Sequence, residues 1–290
     1  MTSARIDELN RHVGQAVIVR GWVVTTRSSG KIAFVVLRDG SGYLQAVISR
    51  KEVPEGAWEA FQSLTQETSL GVTGTVRAEP RAPGGYELHA SDLLILGRSM
   101  DFPLTPKEHG TSYLFEHRHL WLRSRSQVAI ARVRHEVVQS IRDFFYERGF
   151  TLVDTPILTG AIGEEAGSLF STDYFDLGKA YLAQTGQLYV EAGAAALGRV
   201  YCFGPTFRAE KSKTRRHLTE FWMVEPEVAF NDTHDNMRLQ EDFVSYIVGR
   251  VLESRRDDLK ELERDPAPLE SITPPFHRIT YTDAVAKLHA

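Results

Sequence analysis

The chain has 290 residues, a formal net charge of -4 and a single cysteine. This length predicts about two domains, and one cysteine excludes an internal disulfide framework. No stretch has the apolar length of a membrane span or a secretory signal, so a reducing cytoplasm is the expected location, and any nucleic-acid binding must come from local basic patches.

The N-terminal part of the chain alternates between β-rich runs and turn-forming residues. Turn residues at 28–31 and 39–42 separate the first three runs, and 83–85 separates the last two. The order strand, strand, strand, helix, strand, strand is typical of a Greek-key barrel of the OB type, although small sandwiches give similar spacing. The predicted strands are residues 16–25, 32–38, 43–49, 70–78 and 86–96, with a helix at 58–64.

A different pattern follows the predicted barrel. Residues 100–123 lose periodicity and contain Pro103, Pro106 and Gly110, which predicts a linker between two domains.

Helical periodicity returns in the second half of the chain. An amphipathic helix is predicted to begin near Ser126 and to stop at Gly149, with extended chain through Pro156. Further helices are predicted over residues 234–260 and from Tyr281.

Residues 203–228 read as two antiparallel strands around a basic loop. A side-chain period of two gives this hairpin a polar face and an apolar core face. The polar face is predicted to carry Thr206, Arg208, Glu210, His217, Phe221, Glu225 and Glu227, and the opposite face Phe203, Phe207, Leu218, Trp222 and Val224. Such a hairpin can hold a triphosphate by charge-assisted hydrogen bonds and stack an aromatic ring on a base. A structural ribbon with a solvated basic turn is the alternative.

The hairpin resembles motif 2 of the class II aminoacyl-tRNA synthetases, in the subclass that serves aspartate, asparagine and lysine. The resemblance lies in its run Phe-Arg-Ala-Glu, its charged loop and its closing Arg-His-x-x-x-Phe. It implies that Arg208 holds the α-phosphate of ATP and that Arg216 and His217 hold the outer phosphates, which makes Arg208 and His217 the catalytic residues. It also implies that Phe221 stacks on adenine and that Glu210 contacts the adenine edge or the tRNA end.

Two other features agree with this resemblance. The helix, Gly149 and the following extended chain resemble motif 1 of the same class, which implies a homodimer interface. Amino-acid activation needs positioning and charge neutralisation rather than a covalent nucleophile, and Cys202 reads as a small buried hydrophobe.

Residues 180–192 are similar to the amino-acid-binding strand and helix start of the aspartate and asparagine enzymes. This implies that Gln187 contacts the amino acid and that Glu164, in a glycine-rich loop, binds its ammonium group; an ordinary surface loop is the alternative. The aspartate enzymes place a lysine at the position of Val190. An unpaired buried carboxylate would cost several kcal/mol, so asparagine is the expected amino acid. Glu225 would accept from its amide nitrogen, unless it forms a structural ion pair with an arginine.

In the predicted barrel, Arg27, Phe34 and Gln45 match positions at which this subclass reads the anticodon. Glu87, on the last predicted strand of the barrel, is expected to read another anticodon base. An exposed aromatic ring stacks on a base and an amide reads its pairing edge. Core burial is the alternative for Phe34, which has apolar neighbours in the sequence.

The resemblance implies an α+β protein with an OB-fold anticodon-binding barrel (1–99), a linker (100–123) and a class II catalytic core built on an antiparallel sheet (124–290). Motif 3 of the family and the acidic Mg²⁺ ligands before it have no counterpart by Ala290, so a truncated chain is expected. The expected activity is ATP-dependent and Mg²⁺-dependent ligation of asparagine to tRNA(Asn). A relaxed-specificity aspartyl enzyme and a non-catalytic tRNA-binding module remain open.

Overall fold

The computed structural model describes residues 2–160, 169–211, 214 and 216–289. The chain divides into two compact units, Met1–Glu116 and His117–Ala290. The segment predicted as a linker contains helices α2 (Thr111–Glu116) and α3 (Arg118–Trp121), which its loss of periodicity did not indicate.

The first unit is a β-barrel, and its strands lie within a few residues of the predicted runs. Helix α1 (Glu55–Gln62) follows the fourth strand. The strands are β1 (Thr2–Ser3), β2 (Ala16–Ser29), β3 (Ile32–Arg38), β4 (Tyr43–Ser49), β5 (Ser69–Ala78) and β6 (Tyr86–Gly97).

Strand pairing closes this sheet into the barrel. Antiparallel pairs join β2 to β3, β3 to β4 and β5 to β6, a parallel pair joins β4 to β6, and β2 also pairs with β5. A β-bulge between Val23 and Thr25 lets the long strand β2 bend toward both partners. At Gly74 an added Cβ would lie 2.3 Å from the carbonyl oxygen of His89, so only glycine fits this close crossing.

The barrel interior is filled by alternate side chains of every long strand, as the period of two predicts. Helix α1 adds Trp58 and Phe61 to this core. On β3 the buried residues are Ala33, Val35 and Leu37, so the intervening Phe34 lies on the outer face. The core-burial alternative for Phe34 is therefore wrong.

The second unit contains two three-stranded sheets. The main sheet, which has helices on both faces, has the strand order β12-β11-β7, and the second sheet has the order β8-β10-β9. The helices are α4 (Arg125–Glu147), α5 (Gln187–Leu197), α6 (Thr233–Ser254), α7 (Arg256–Glu261), α8 (Ala267–Glu270) and α9 (Tyr281–His289). The strands are β7 (Thr151–Leu152), β8 (Leu158–Thr159), β9 (Ser171–Asp173), β10 (Lys179–Leu182), β11 (Arg199–Phe207) and β12 (Glu220–Val228).

Helix α4 confirms the prediction from periodicity. Its N-terminal N–H at Gln127 donates to the Ser124 hydroxyl, and the chain leaves the helix through Gly149, whose φ of +72° favours glycine. Phe144 and Phe145 are fully buried and pack, with α6, on the face of the main sheet that carries Tyr201.

Helix α5 covers the other face of this sheet. Val190 on α5 packs against Val200 and Cys202 of β11. This face carries the predicted polar residues Thr206, Glu225 and Glu227, but part of it is buried, at Val200, Cys202 and Thr206.

A buried carboxylate ties α4 to the helices that follow the hairpin. Glu136 accepts from Arg250 and from Arg255, both at 3.1 Å. Burial by itself would raise the pKa of Glu136, but hydrogen bonds from Ser254 and Arg255 and the two arginine charges lower it below its usual value. The single helix predicted over 234–260 is wrong, because Arg255 leaves helical geometry (φ −128°, ψ 22°) between α6 and α7.

Candidate active site and nucleic-acid interface

The β11–β12 hairpin forms as predicted, with a fixed antiparallel register. Cys202 pairs with Glu225, and Thr206 pairs with Phe221. The hydroxyl of Thr206 donates to the carbonyl oxygen of Phe221 at 3.1 Å. Strand β11 ends at Phe207, so the functional side chains beyond it project from the turn rather than from the strand.

A cavity of about 370 Å³ opens at this turn. It is lined by Arg208, Glu210, Arg216, His217, Leu218 and Phe221. The structure thus brings together the five residues predicted to bind ATP. Leu218 was predicted on the opposite face, but it precedes the first residue of β12, where the alternation of a strand does not apply.

Short-range contacts orient several of these side chains. The guanidinium carbon of Arg208 lies 5.4 Å from the centre of the Phe221 ring, and the Arg208 backbone N–H donates to the Thr219 carbonyl at 3.0 Å. Nδ1 of His217 is hydrogen-bonded to the hydroxyl of Thr214, a contact that no sequence pattern indicated. Two guanidinium groups beside an aromatic face suit a ligand with an anionic part and a flat ring.

A second cavity, of about 260 Å³, lies along the same hairpin. Its lining includes Glu225, Thr206, Cys202, Thr185 and Gly186. Since Thr206 lines this cavity and its cross-strand partner Phe221 lines the other, the two cavities occupy neighbouring positions of one hairpin.

Glu225 is held in this cavity by groups of the protein. Its Oε1 accepts from the Thr185 hydroxyl, and its Oε2 accepts from the Gly186 N–H at 2.9 Å and from the Cys202 thiol at 3.3 Å. These contacts are not the ion pair with arginine that was the structural alternative. Thr185 and Gly186 were missed as functional residues, although they stand directly before the predicted Gln187.

The other residues predicted to bind the amino acid are placed differently. Gln187 is exposed at the start of α5, where its Nε2 donates to Glu191 Oε1 at 2.9 Å, and it is not in the lining of the 260 Å³ cavity. Val190 does not line the cavity either; it packs behind Cys202, which does. Glu164 lies outside the described residues.

Burial and like charge raise two acid pKa values near Glu225. Burial, followed by the charge of Glu225, raises the pKa of the Cys202 thiol to about 12, which fits its reading as a buried, unreactive residue. Burial also raises the pKa of Glu227, with smaller contributions from Glu191 and Glu225.

The described residues do not form a dedicated metal site. Within residues 2–160, 169–211, 214 and 216–289, no three His, Cys, Asp or Glu side chains lie close enough to hold an ion together. The 370 Å³ cavity at the hairpin turn is lined by one carboxylate, Glu210. One carboxylate is too few oxygen ligands for these residues to hold Mg²⁺ without a ligand that brings its own oxygens.

The predicted anticodon residues meet on the outer face of the barrel. The guanidinium carbon of Arg27 lies 4.4 Å from the centre of the Phe34 ring, and its Nη2 donates to Gln45 Oε1 at 3.0 Å. Gln45 Nε2 donates to Glu87 Oε1 at 2.6 Å. His89 Nε2, which was not predicted, lies 3.6 Å from Glu87 Oε2. The half-exposed ring of Phe34 thus lies near the amide of Gln45, whose orientation is fixed by its hydrogen bonds with Arg27 and Glu87.

Two family models match the chain, one in each half. Residues 111–289 match the family "tRNA synthetases class II (D, K and N)", and residues 17–96 match the "OB-fold nucleic acid binding domain" family. The chain therefore belongs to the class II tRNA synthetases of the aspartate, lysine and asparagine subclass.

Within this subclass, the chain is similar to several asparagine enzymes. The chain is 59% identical to the asparagine–tRNA ligase of Chloroflexus aurantiacus over 290 residues, and 55% identical to that of Roseiflexus castenholzii over 285 residues. It covers 66% and 65% of their lengths, with 100% and 98% of itself matched. The asparaginyl-tRNA synthetase of Pyrococcus horikoshii, solved with asparaginyl-adenylate, matches with a TM-score of 0.93 at 37% identity, covering 100% of this chain and 67% of that one.

In the described part of the chain, none of the helices combines the length and the apolar character needed to cross a bilayer.

Proposed function

We propose that the protein activates asparagine with ATP and transfers it to tRNA(Asn). The observation that carries this proposal is the pair of neighbouring cavities on one hairpin. One is lined by Arg208, Arg216 and Phe221, and the other by a carboxylate, Glu225, held as a hydrogen-bond acceptor. The first suits a nucleoside triphosphate, and the second suits a small neutral side chain with N–H donors.

In the activation step, a carboxylate oxygen of asparagine attacks the α-phosphorus of ATP, the bond to the bridging oxygen breaks, and pyrophosphate leaves. Arg208 neutralises charge on the α-phosphate as it develops, and Phe221 stacks on adenine. Arg216 and His217 hold the outer phosphates, and Glu210 contacts the adenine edge or the tRNA end. We expect Mg²⁺ to enter with the ATP phosphates, and the steps assigned here to the protein do not depend on it.

Asparagine is the proposed amino acid because Glu225 is an acceptor. A carboxamide nitrogen can donate to the Glu225 carboxylate, whereas a side-chain carboxylate in that position would meet a like charge at Glu225. Arg142 and Asp154, of opposite charge, also line this cavity. Gln187, at the start of α5, and Glu164 are also proposed to contact the amino acid.

The barrel is the proposed reader of the anticodon of tRNA(Asn). Phe34 offers a stacking surface, and the amide of Gln45 keeps one N–H and one lone pair available for a base edge. Arg27 adds a positive charge for the RNA backbone, and Glu87 fixes the amide. A homodimer through α4 and the extended chain after it, and a cytoplasmic location, complete the proposal.

Replacement of Arg208 tests the nucleotide half of this proposal. Arg208→Ala should weaken ATP binding about tenfold to a hundredfold, because a charge-assisted hydrogen bond to phosphate is lost. Isothermal titration of ATP into the chain measures this change. Lys211→Ala is the matched control, since Lys211 is an exposed cation of the same loop that is not in the cavity lining.

Each other outcome has a clear meaning. Equal losses in the two variants would attribute the effect to net charge and would contradict the role of Arg208. Binding of tRNA(Asn) with no ATP binding by the unsubstituted chain would favour a tRNA-binding module. Tighter binding of aspartate than of asparagine would favour an aspartyl enzyme.

A further inference from the structure

The carboxylate of Glu225 is oriented by three donors that line the 260 Å³ cavity with it. Its contacts are the Thr185 hydroxyl on Oε1, and the Gly186 N–H and the Cys202 thiol on Oε2. Each of these groups donates, so together they suit a charged carboxylate, which is an acceptor only. The remaining lone pairs of Glu225 are available to a ligand in the cavity that it lines.

A glycine makes this arrangement possible. A Cβ added to Gly186 would lie 2.6 Å from Cys202 Sγ and 2.7 Å from Thr155 Oγ1. Any side chain at this position would displace the thiol or the strand that carries it. The absence of a side chain at 186 therefore allows an N–H and an S–H to reach the same carboxylate oxygen.

The thiol is suited to act as a permanent donor. Cys202 is 3% exposed, and burial with the neighbouring Glu225 charge raises its pKa to about 12. It therefore keeps its proton throughout the neutral pH range. Since Cys202 is the single cysteine of the sequence, its protonation can be measured without interference from other thiols.

We propose that Cys202 is a specificity-positioning residue, whose thiol, with Thr185 and Gly186, fixes the Glu225 carboxylate as the acceptor for the carboxamide of asparagine. This inference rests on the proposed function. Without the thiol, Oε2 of Glu225 loses one of the donors that fix its direction, and the carboxylate can turn away from the ligand. Selection of a carboxamide over a carboxylate should then decline.

The contact itself is tested first, by ultraviolet titration of the thiol in the intact chain. Glu225→Gln should lower the pKa of Cys202 from about 12, because the neighbouring negative charge is removed while burial remains. An unchanged thiol pKa would show that Glu225 and Cys202 do not interact in solution, and would overturn the proposal.

Selectivity is tested by calorimetric titration of asparagine and of aspartate into three variants. Cys202→Ala should bind asparagine about threefold to tenfold more weakly, with a smaller loss of affinity for aspartate. The ratio of the two affinities should therefore fall. Cys202→Ser should restore most of the preference, because a hydroxyl also donates. Val200→Ala is the packing control, since Val200 is fully buried in the same cluster and is not in the cavity lining.

The outcomes separate this inference from the function on which it rests. A full asparagine preference in Cys202→Ala, or an equal loss in Val200→Ala, would overturn the positioning role alone. If the unsubstituted chain binds no asparagine while the thiol titration still responds to Glu225→Gln, the proposed function fails, and the specificity role of Cys202 fails with it.

Discussion

Replacing Phe34 with alanine should weaken binding of the tRNA(Asn) anticodon stem–loop without changing the fold of the barrel. Phe34 is half-buried on the outer face of β3, while its neighbours Ala33 and Val35 fill the core, so the substitution opens no internal cavity. Stacking of a base on an aromatic ring contributes roughly 1–3 kcal/mol. The Arg27 guanidinium already contacts this ring at 4.4 Å, and part of that contact, about 0.5–1 kcal/mol, is exchanged when a base stacks.

The expected net loss for Phe34→Ala is therefore about 1–2 kcal/mol, or roughly a fivefold to thirtyfold increase in Kd. Fluorescence anisotropy with the labelled stem–loop measures it. Ile32→Ala is the matched control, because Ile32 is 45% exposed on the same face of the same strand. The salt dependence of binding should be unchanged in Phe34→Ala, since stacking releases no counterions. Equal Kd values for the two variants would refute the stacking role.

Further predictions concern stability and reactivity. Glu136→Gln should lower the free energy of unfolding by about 2–3 kcal/mol in urea denaturation near neutral pH, because it breaks a largely buried ion pair with Arg250 and Arg255 that is partly screened by water. Since the pKa of Glu136 is lowered in the fold, this difference should disappear as the pH falls through that lowered value, and a difference independent of pH would contradict the ion-pair account. Glu227→Gln should instead stabilise the protein at neutral pH, because burial, with smaller contributions from Glu191 and Glu225, raises the pKa of Glu227. The gain should vanish in acid, where the glutamate is protonated in both states, and no gain at neutral pH would contradict the burial of a charged Glu227. Cys202 should resist alkylation by iodoacetamide until the chain is unfolded, and rapid labelling of the folded protein would show that the thiol is neither buried nor protonated.

The barrel was predictable from sequence because its strands alternate regularly and are separated by turn residues. Each buried position of β3 and β4 follows the period of two, and the closed sheet follows from the order of elements. The outward position of Phe34 could also be read from this alternation, but only after the register of β3 was fixed, since apolar residues flank it on both sides.

Features that depend on tertiary contacts were not predictable in the same way. The break at Arg255 occurs within a continuous helical pattern, and its arginine contacts Glu136, more than a hundred residues earlier. Likewise, the contacts of Thr185 and Gly186 with Glu225 join segments that are distant in sequence. Local propensity carries no information about such pairs.

The hairpin shows both cases within one element. Its existence and register follow from alternation, and the resemblance to motif 2 selected the residues that line its cavity. The cover of α5 over the second face of its sheet did not follow, because it depends on a helix outside the hairpin. The position of Leu218 did not follow either, because it depends on the residue at which β12 begins.

The most direct test of the central claim is calorimetric binding of a non-hydrolysable asparaginyl-adenylate analogue to this chain, compared with its aspartyl counterpart. This ligand should fill both cavities of the hairpin at once. The account predicts that the asparaginyl analogue binds at least about tenfold more tightly, and that Arg208→Ala and Glu225→Gln each weaken it. Equal binding of the two analogues, or asparaginyl binding that neither substitution changes, would contradict the account.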